Sequence, residues 1–217
     1  MSKKNVLITD LVFNSIILVM EAVALVLSAF EYGVGLFGYY TQCSNILLGI
    51  SCAVSVFFAA KALKGGEAEE KKWSRLLKFI GTSSVALTLV VVLTVLIPSR
   101  GHGRYTAESV VHYLLTGSNL FMHFVCPVAA ILVFVFLEHK ARISFRETLF
   151  AMIPAFIYAC ISTSLNATNL MYGPYPFLHV HEQSVLASAF WFIAIVLLSY
   201  VLALAVWGLN KIGKENK

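Results

Sequence analysis

Tyr39-Tyr40-Thr41-Gln42-Cys43-Ser44-Asn45 opens an apolar run that continues to Ala60, and this run limits the kind of fold the chain can adopt. A stretch of this length and hydropathy suits a helix crossing a hydrocarbon core of ~30 Å. Six consecutive hydroxyl, amide and thiol side chains follow Tyr39 at its start. A polar group facing hydrocarbon without a partner costs roughly 1 kcal/mol or more. The cluster must therefore face protein, water or a substrate.

Working outward, five more runs of the same kind follow the pattern. Expected spans are Asp10 to Phe30, Tyr39 to Ala60, Leu77 to Ile97 (bounded by Pro98), Glu108 to Leu137, Phe145 to Leu165 and Gln183 to Leu209. Of 217 residues 59% are hydrophobic and 12% charged, and the mean hydropathy is +0.83. A soluble domain is roughly 45–50% apolar and about 25% charged. The expectation is an all-α, polytopic membrane protein, a single six-helix transmembrane domain over residues 1–217. The first run carries Glu21 and lacks a small-residue cleavage site, so it reads as a retained helix rather than a signal peptide.

Charge gives the orientation. With odd-numbered connections outside, one side collects Lys3, Lys4, Lys61, Lys64, Lys71, Lys72, Arg75, Lys78, Lys140, Arg142, Arg146, Lys211, Lys214 and Lys217, leaving only Arg100 and Arg104 opposite. The positive-inside rule then places both termini in the cytoplasm. The net charge of +5 reads as an orientation signal with contact to anionic head groups, not as nucleic-acid binding. The mixed-sign loop Gly65-Gly66-Glu67-Ala68-Glu69-Glu70-Lys71-Lys72 reads as a solvated turn. Short length and the lack of a eukaryotic sorting signal point to a bacterial plasma membrane.

Helical phase then sorts the polar residues. From Thr41, residues Asn45, Cys52 and Ser55 lie within about 40° of one face at ~100° per residue. In the fourth span His112, Thr116, Asn119 and His123 likewise share a face. Pro127 withholds the hydrogen bond that the His123 carbonyl expects, which predicts a bend there. In the fifth, Tyr158, Ser162, Asn166 and Asn169 lie to one side. The loop Met171-Tyr172-Gly173-Pro174-Tyr175-Pro176-Phe177-Leu178-His179-Val180-His181-Glu182 reads as a structured cap or an interfacial aromatic anchor. These features predict a polar cavity in the outer half of the bundle, lidded by that loop.

Each residue has a bland and a functional reading. His123 is either a neutral core imidazole bonded to Asn119, or a general base that takes a proton from a hydroxyl or thiol. Thr41, Cys43 and Ser44 are candidate nucleophiles, although mid-helix hydroxyls commonly back-bond to the preceding turn. Thr41 is favoured because free N–H groups at a helix start stabilise an oxyanion. Glu21 is either a protonated structural carboxyl or the proton carrier of a transporter; no repeat linking the two halves supports the latter. His179, His181 and Glu182 are weak as a metal site, and His179 reads better as a supporting or substrate contact. The four cysteines show no metal or disulfide spacing. No cofactor is required.

Three stretches together resemble one family. They are Tyr40-Thr41, Asn119-Leu120-Phe121-Met122-His123-Phe124-Val125-Cys126-Pro127 and Tyr175-Pro176-Phe177-Leu178. In motif order and helix count they are similar to the androgen-induced protein and androgen-dependent TFPI-regulating protein family with its shorter microbial relatives. The resemblance implies a multi-pass membrane hydrolase that cleaves fatty acid esters of hydroxy fatty acids with a threonine and a histidine, here Thr41 and His123. Where animal members are more apolar and carry an acid, this chain has Gln42-Cys43-Ser44-Asn45. Cys43 or Ser44 therefore stays open as nucleophile, and Asn45 takes the supporting role of the missing carboxylate.

The expected function is a lipid ester hydrolase of the outer leaflet. Thr41 and His123 are its catalytic pair, and Tyr40, Ser44, Asn45, Asn119, Tyr175 and His179 its supporting or substrate-binding residues. The alternative is a non-catalytic lipid-binding protein or a small proton-coupled transporter with the same cavity.

Overall fold

The structure, a computed structural model, describes residues 3–65, 71–138 and 143–215. Lys140, Arg142, Lys217 and residues 66–70 of the mixed-sign loop lie outside the described residues. All regular structure within them is helical. In chain order the elements are α1 (Lys4–Gly38), α2 (Tyr40–Leu63), α3 (Lys72–Arg100), the short α4 (Ala107–Leu114), α5 (Gly117–Phe136), α6 (Phe145–Ala167) and α7 (Val185–Ile212). The six others than α4 are each long and apolar enough to cross a membrane.

The fourth span departs from expectation. A single helix from Glu108 to Leu137 does not form; α4 ends at Leu114 and the chain re-enters at Gly117. Thr116 is extended, with φ −111° and ψ 132°, and Gly117 takes φ +54°, a conformation that costs an L-residue about 1–2 kcal/mol. A Cβ at Gly117 would also run into the Glu31 carboxylate. That carboxylate caps the new helix start, accepting from Ser118 N–H at 3.1 Å and from Ser118 Oγ at 2.6 Å.

Prolines widen two helices. Pro127 has no N–H for the His123 carbonyl, and the turns over Leu120–Val125 open to π-type, with Cys126 N–H donating to Phe121 O. The same happens over Val92–Leu96 before Pro98, where Ile97 N–H donates to Val92 O. The bend expected at Pro127 thus takes the form of a π-type stretch that holds His123.

α3 is the central helix: 67% of its most apolar window is buried, against 17% for α7. Small residues permit this. A Cβ at Gly81 would sit 3.2 Å from Leu48 Cα and 3.1 Å from Ser51 Oγ, so the α2 and α3 backbones approach closely there. The interior is polar to an unusual degree: Asn14, Glu21, Ser51, Lys78, Thr82, Ser83 and Ser84 are all buried, while Val12, Ile16, Val19, Val26, Ile193, Leu197 and Val201 face outward.

Lys78 ties together the half of the bundle away from Thr41. Its fully buried ammonium donates to Asn14 Oδ1 at 2.6 Å and to Cys52 Sγ at 2.9 Å, and stands 3.8 Å from Glu138 Oε1. One charge thereby braces α1, α2 and the chain just beyond α5. The lower part of the polar stripe descending from Thr41 therefore belongs to this brace, with Cys52 on Lys78 and Ser55 back-bonded to Ser51 O. Removing one partner of a buried ionic network typically costs about 3–5 kcal/mol. Lys78→Ala is accordingly expected to lower the thermal midpoint of purified protein sharply, as measured by tryptophan fluorescence, with the conservative Lys78→Arg retaining more of it.

Candidate active site

The site forms where α2 begins. Tyr39 is extended, with φ −104° and ψ 135°, and Tyr40 starts the helix. Thr41 thus lies in the first turn, where backbone N–H groups lack intrahelical acceptors. Its N–H donates to the Tyr175 phenol oxygen at 3.2 Å. Its Oγ1 lies 3.2 Å from His123 Nε2 and 3.3 Å from the Tyr175 hydroxyl. All three side chains are at least nine-tenths buried.

The break between α4 and α5 aims the histidine. Where α4 ends, its last carbonyls lose their helical donors. Asn119 Nδ2 donates to His112 O at 3.1 Å, and His123 Nδ1 lies 2.9 Å from Tyr113 O. A carbonyl only accepts, so Nδ1 carries the proton and Nε2 presents a lone pair. The Thr41 hydroxyl therefore donates to Nε2. Of the four residues expected on one continuous helical face, His112 lies on α4, Thr116 in the extended link, and Asn119 and His123 on α5, and the side chains of these last two reach back to the α4 carbonyls of His112 and Tyr113. Asn119 is not the partner of His123.

The four residues that follow Thr41 have their own partners. Gln42 Nε2 donates to Ser28 Oγ at 3.2 Å. Cys43 Sγ donates to Phe37 O at 3.6 Å. Ser44 Oγ donates to Thr41 O and meets Thr88 Oγ1, both at 2.9 Å. Asn45 Nδ2 donates to Thr41 O at 2.7 Å and to Met122 O at 3.2 Å, joining the backbone beside the threonine to the backbone beside the histidine. Of Thr41, Cys43 and Ser44, Thr41 is the one within hydrogen-bond reach of the His123 ring.

Two spaces flank Tyr40. On one side a chamber of about 40 Å³ is lined by Thr41, Thr88, Tyr158, Tyr175 and apolar residues of α3 and α7. On the other, a groove of about 430 Å³ runs between α2 and α6 past Cys43, Ser44, Ile50, Ile157 and Ile161. The Tyr40 and Tyr158 rings, with centroids 5.3 Å apart, form the partition, and Tyr158 is held by donating to Gly38 O at 2.8 Å.

The loop after α6 closes the chamber, and Asn166 is its anchor. Asn166 Nδ2 donates to Met171 O at 3.1 Å and its Oδ1 accepts from Val180 N–H at 2.9 Å, while its carbonyl meets His181 Nε2 at 3.0 Å. Asn169, expected on the same face, lies beyond the helix end with φ +57°. His179 stands away from Thr41, with its ring against Tyr172 at 4.3 Å and Nε2 2.8 Å from Gly173 O. It supports the loop's shape. Among the described residues no three His, Cys, Asp or Glu side chains gather as metal ligands.

In comparisons with protein-family models, curated proteins and solved structures, nothing matched this chain.

Sequence reading missed two contributors. The Tyr113 carbonyl is invisible to side-chain patterning, since its role follows from where α4 stops. Glu31 lies at the C-terminal end of the first apolar run, and the Thr116-Gly117-Ser118 break signal was the available hint of the turn it caps. Gly117→Ala is expected to cost about 1–2 kcal/mol through the left-handed backbone alone, read as a lower thermal midpoint, and to misplace the start of the helix that carries His123.

Proposed function

We propose that this chain is an integral-membrane lipid ester hydrolase in which Thr41 is the nucleophile and His123 the general base. The carrying observation is the directed chain from the Tyr113 carbonyl through His123 to Thr41, with the histidine lone pair 3.2 Å from the hydroxyl oxygen. Nucleophile, base and a third group that orients the base are the elements of activated acyl transfer.

The membrane setting is supported by the inverted distribution of polarity, with carboxyl, amide, ammonium and hydroxyl groups inside and branched apolar side chains outside. The charge asymmetry of the loops favours cytoplasmic termini, which sets the start of α2 at the outer face. A bacterial plasma membrane suits this reading, and so does the resemblance to the androgen-induced and androgen-dependent TFPI-regulating family of threonine hydrolases.

In the reaction, Thr41 Oγ1 attacks the ester carbonyl carbon as its proton passes to His123 Nε2. The carbonyl π pair moves to oxygen. When that pair returns, the bond to the alkoxy oxygen breaks, and the leaving oxygen takes the proton from Nε2. Water then repeats the sequence on the acyl-threonine, releasing the acid and restoring both residues. The groove between α2 and α6 has a volume within the range of small-molecule sites, roughly 300–1,000 Å³, and its apolar walls suit a hydrocarbon chain, with the Tyr40–Tyr158 partition between it and Thr41. A fatty acid ester is the substrate class that this apolar groove suits.

A second reading, a lipid-binding protein or proton-coupled carrier, is favoured by one observation. Glu21 is buried in mid-helix beside the Cys126 thiol and takes no part in the chemistry above. In proteoliposomes, proton flux lost in Glu21→Gln but kept in Thr41→Ala would support it over hydrolysis.

For the hydrolase, Thr41→Ala and His123→Ala are each expected to lower kcat on a medium-chain p-nitrophenyl ester by about 10³-fold or more, whereas Cys43→Ala retains activity. Full activity in purified Thr41→Ala would overturn the assignment.

A further inference from the structure

We infer that Tyr175 is a catalytic residue: its phenol O–H and the backbone N–H of Thr41 together hold the ester carbonyl oxygen as it becomes an oxyanion. This rests on the ester-hydrolase reading above and assigns the one part of that machinery which the dyad leaves unfilled.

Hydrogen-bond accounting narrows the donors. The amides expected to serve are engaged elsewhere, Asn45 Nδ2 with the carbonyls of Thr41 and Met122, and Asn119 Nδ2 with that of His112. His123 Nδ1–H is held by Tyr113 O. Ser44 and Thr88 bond to each other. The Tyr40 hydroxyl also borders the chamber but makes no bond to Thr41; the donors in hydrogen-bond contact at Thr41 are its own N–H and the Tyr175 O–H.

In the resting site these two groups satisfy one another. The phenol oxygen accepts from Thr41 N–H at 3.2 Å. The Thr41 hydroxyl proton is committed to Nε2, so the phenol proton points to Oγ1, 3.3 Å away. Both distances are at or beyond the long end of good hydrogen bonds, about 2.7–3.2 Å for N–H donors and 2.5–3.0 Å for O–H donors. Weak bonds of this kind are readily exchanged for stronger ones to a developing charge.

When Oγ1 gives up its proton and bonds to carbon, it becomes a poorer acceptor for the phenol. The new negative charge appears one atom away. The phenol proton turns to that oxygen, and Thr41 N–H follows, with the positive end of the α2 dipole behind it. Tyr175 donates a hydrogen bond throughout and is never deprotonated; burial pushes its phenol up to about 12. The ring is fixed for this task, stacked on Phe177 at 5.2 Å and packed edge-on to Tyr39 at 6.4 Å, in the loop that Asn166 anchors.

The test compares purified wild type, Tyr175→Phe and Thr41→Ala on p-nitrophenyl octanoate. Loss of one oxyanion donor typically lowers kcat by about 10²–10³-fold. Tyr175→Phe should show a fall of that size, with KM and thermal midpoint near wild type. If Tyr175→Phe keeps kcat within about threefold of wild type while Thr41→Ala is inactive, the inference fails and the hydrolase reading stands. If Thr41→Ala is active, the reading itself fails.

Should Tyr175→Phe not fold, 3,5-difluorotyrosine at position 175 preserves shape while making the phenol more acidic. Because only the protonated phenol donates, its activity should fall away at a pH about one unit or more below the alkaline limb of the wild type. Superimposable pH profiles would overturn the inference.

Discussion

The Tyr113 carbonyl can only accept a hydrogen bond, and the candidate site depends on that constraint. It sets the proton on His123 Nδ1, leaves Nε2 as a lone pair, and so directs the Thr41 hydroxyl toward the ring and leaves its oxygen to the Tyr175 phenol. In a low-dielectric interior an unsatisfied polar group is costly, so each bond in this line limits the direction of the next. The carbonyl is free because α4 stops at Leu114, and α4 stops because Thr116 and Gly117 leave helical geometry. The geometry at Thr41 is thus set up by a break in the helix six to seven residues before the histidine.

The same economy governs the rest of the bundle. Many of the hydroxyl, amide and charged groups of the interior find partners, and the bonded ones gather at two centres. Near the start of α2 they converge on Thr41. Deeper along the same face they converge on Lys78, which joins Asn14, Cys52 and Glu138. Prolines shape the surroundings, since Pro98 and Pro127 each follow a π-type stretch, and the second of these carries His123. The lower brace and the upper site share α2 and α3, so close packing at Gly81 serves both.

How much of this was legible in the sequence follows from what sequence patterns encode. Six long apolar helices were readable because length and hydropathy report directly on them. Thr41 and His123 were each readable because helical phase, which needs no tertiary information, put Thr41 at the head of one line of polar residues and His123 at the end of another; their pairing came from the family resemblance. The line through His112, Thr116, Asn119 and His123 was read as one helical face, whereas the chain breaks within it, and Asn119 and His123 turn back to the carbonyls of His112 and Tyr113. Helical phase assumes an unbroken helix, and Gly117 breaks it. Asn45 was legible as a supporting residue, but its bonds run to backbone carbonyls, which no side-chain pattern records. His179 was placed nearer the site than it stands, because adjacency in a loop carries little information about distance. Tyr175, by contrast, comes from the same loop and reaches Thr41, held there by anchoring through Asn166 that only the folded chain displays.

The identity of the attacking atom is the centre of this account, and the three candidates lie within four residues of one another. Peptide mapping by mass spectrometry of the purified protein after reaction with a fluorophosphonate resolves them. The account predicts a single stoichiometric adduct on Thr41 Oγ1, formed in competition with lipid ester. An adduct on Ser44 or Cys43, or ester hydrolysis continuing at full rate in protein already modified at Thr41, would contradict it.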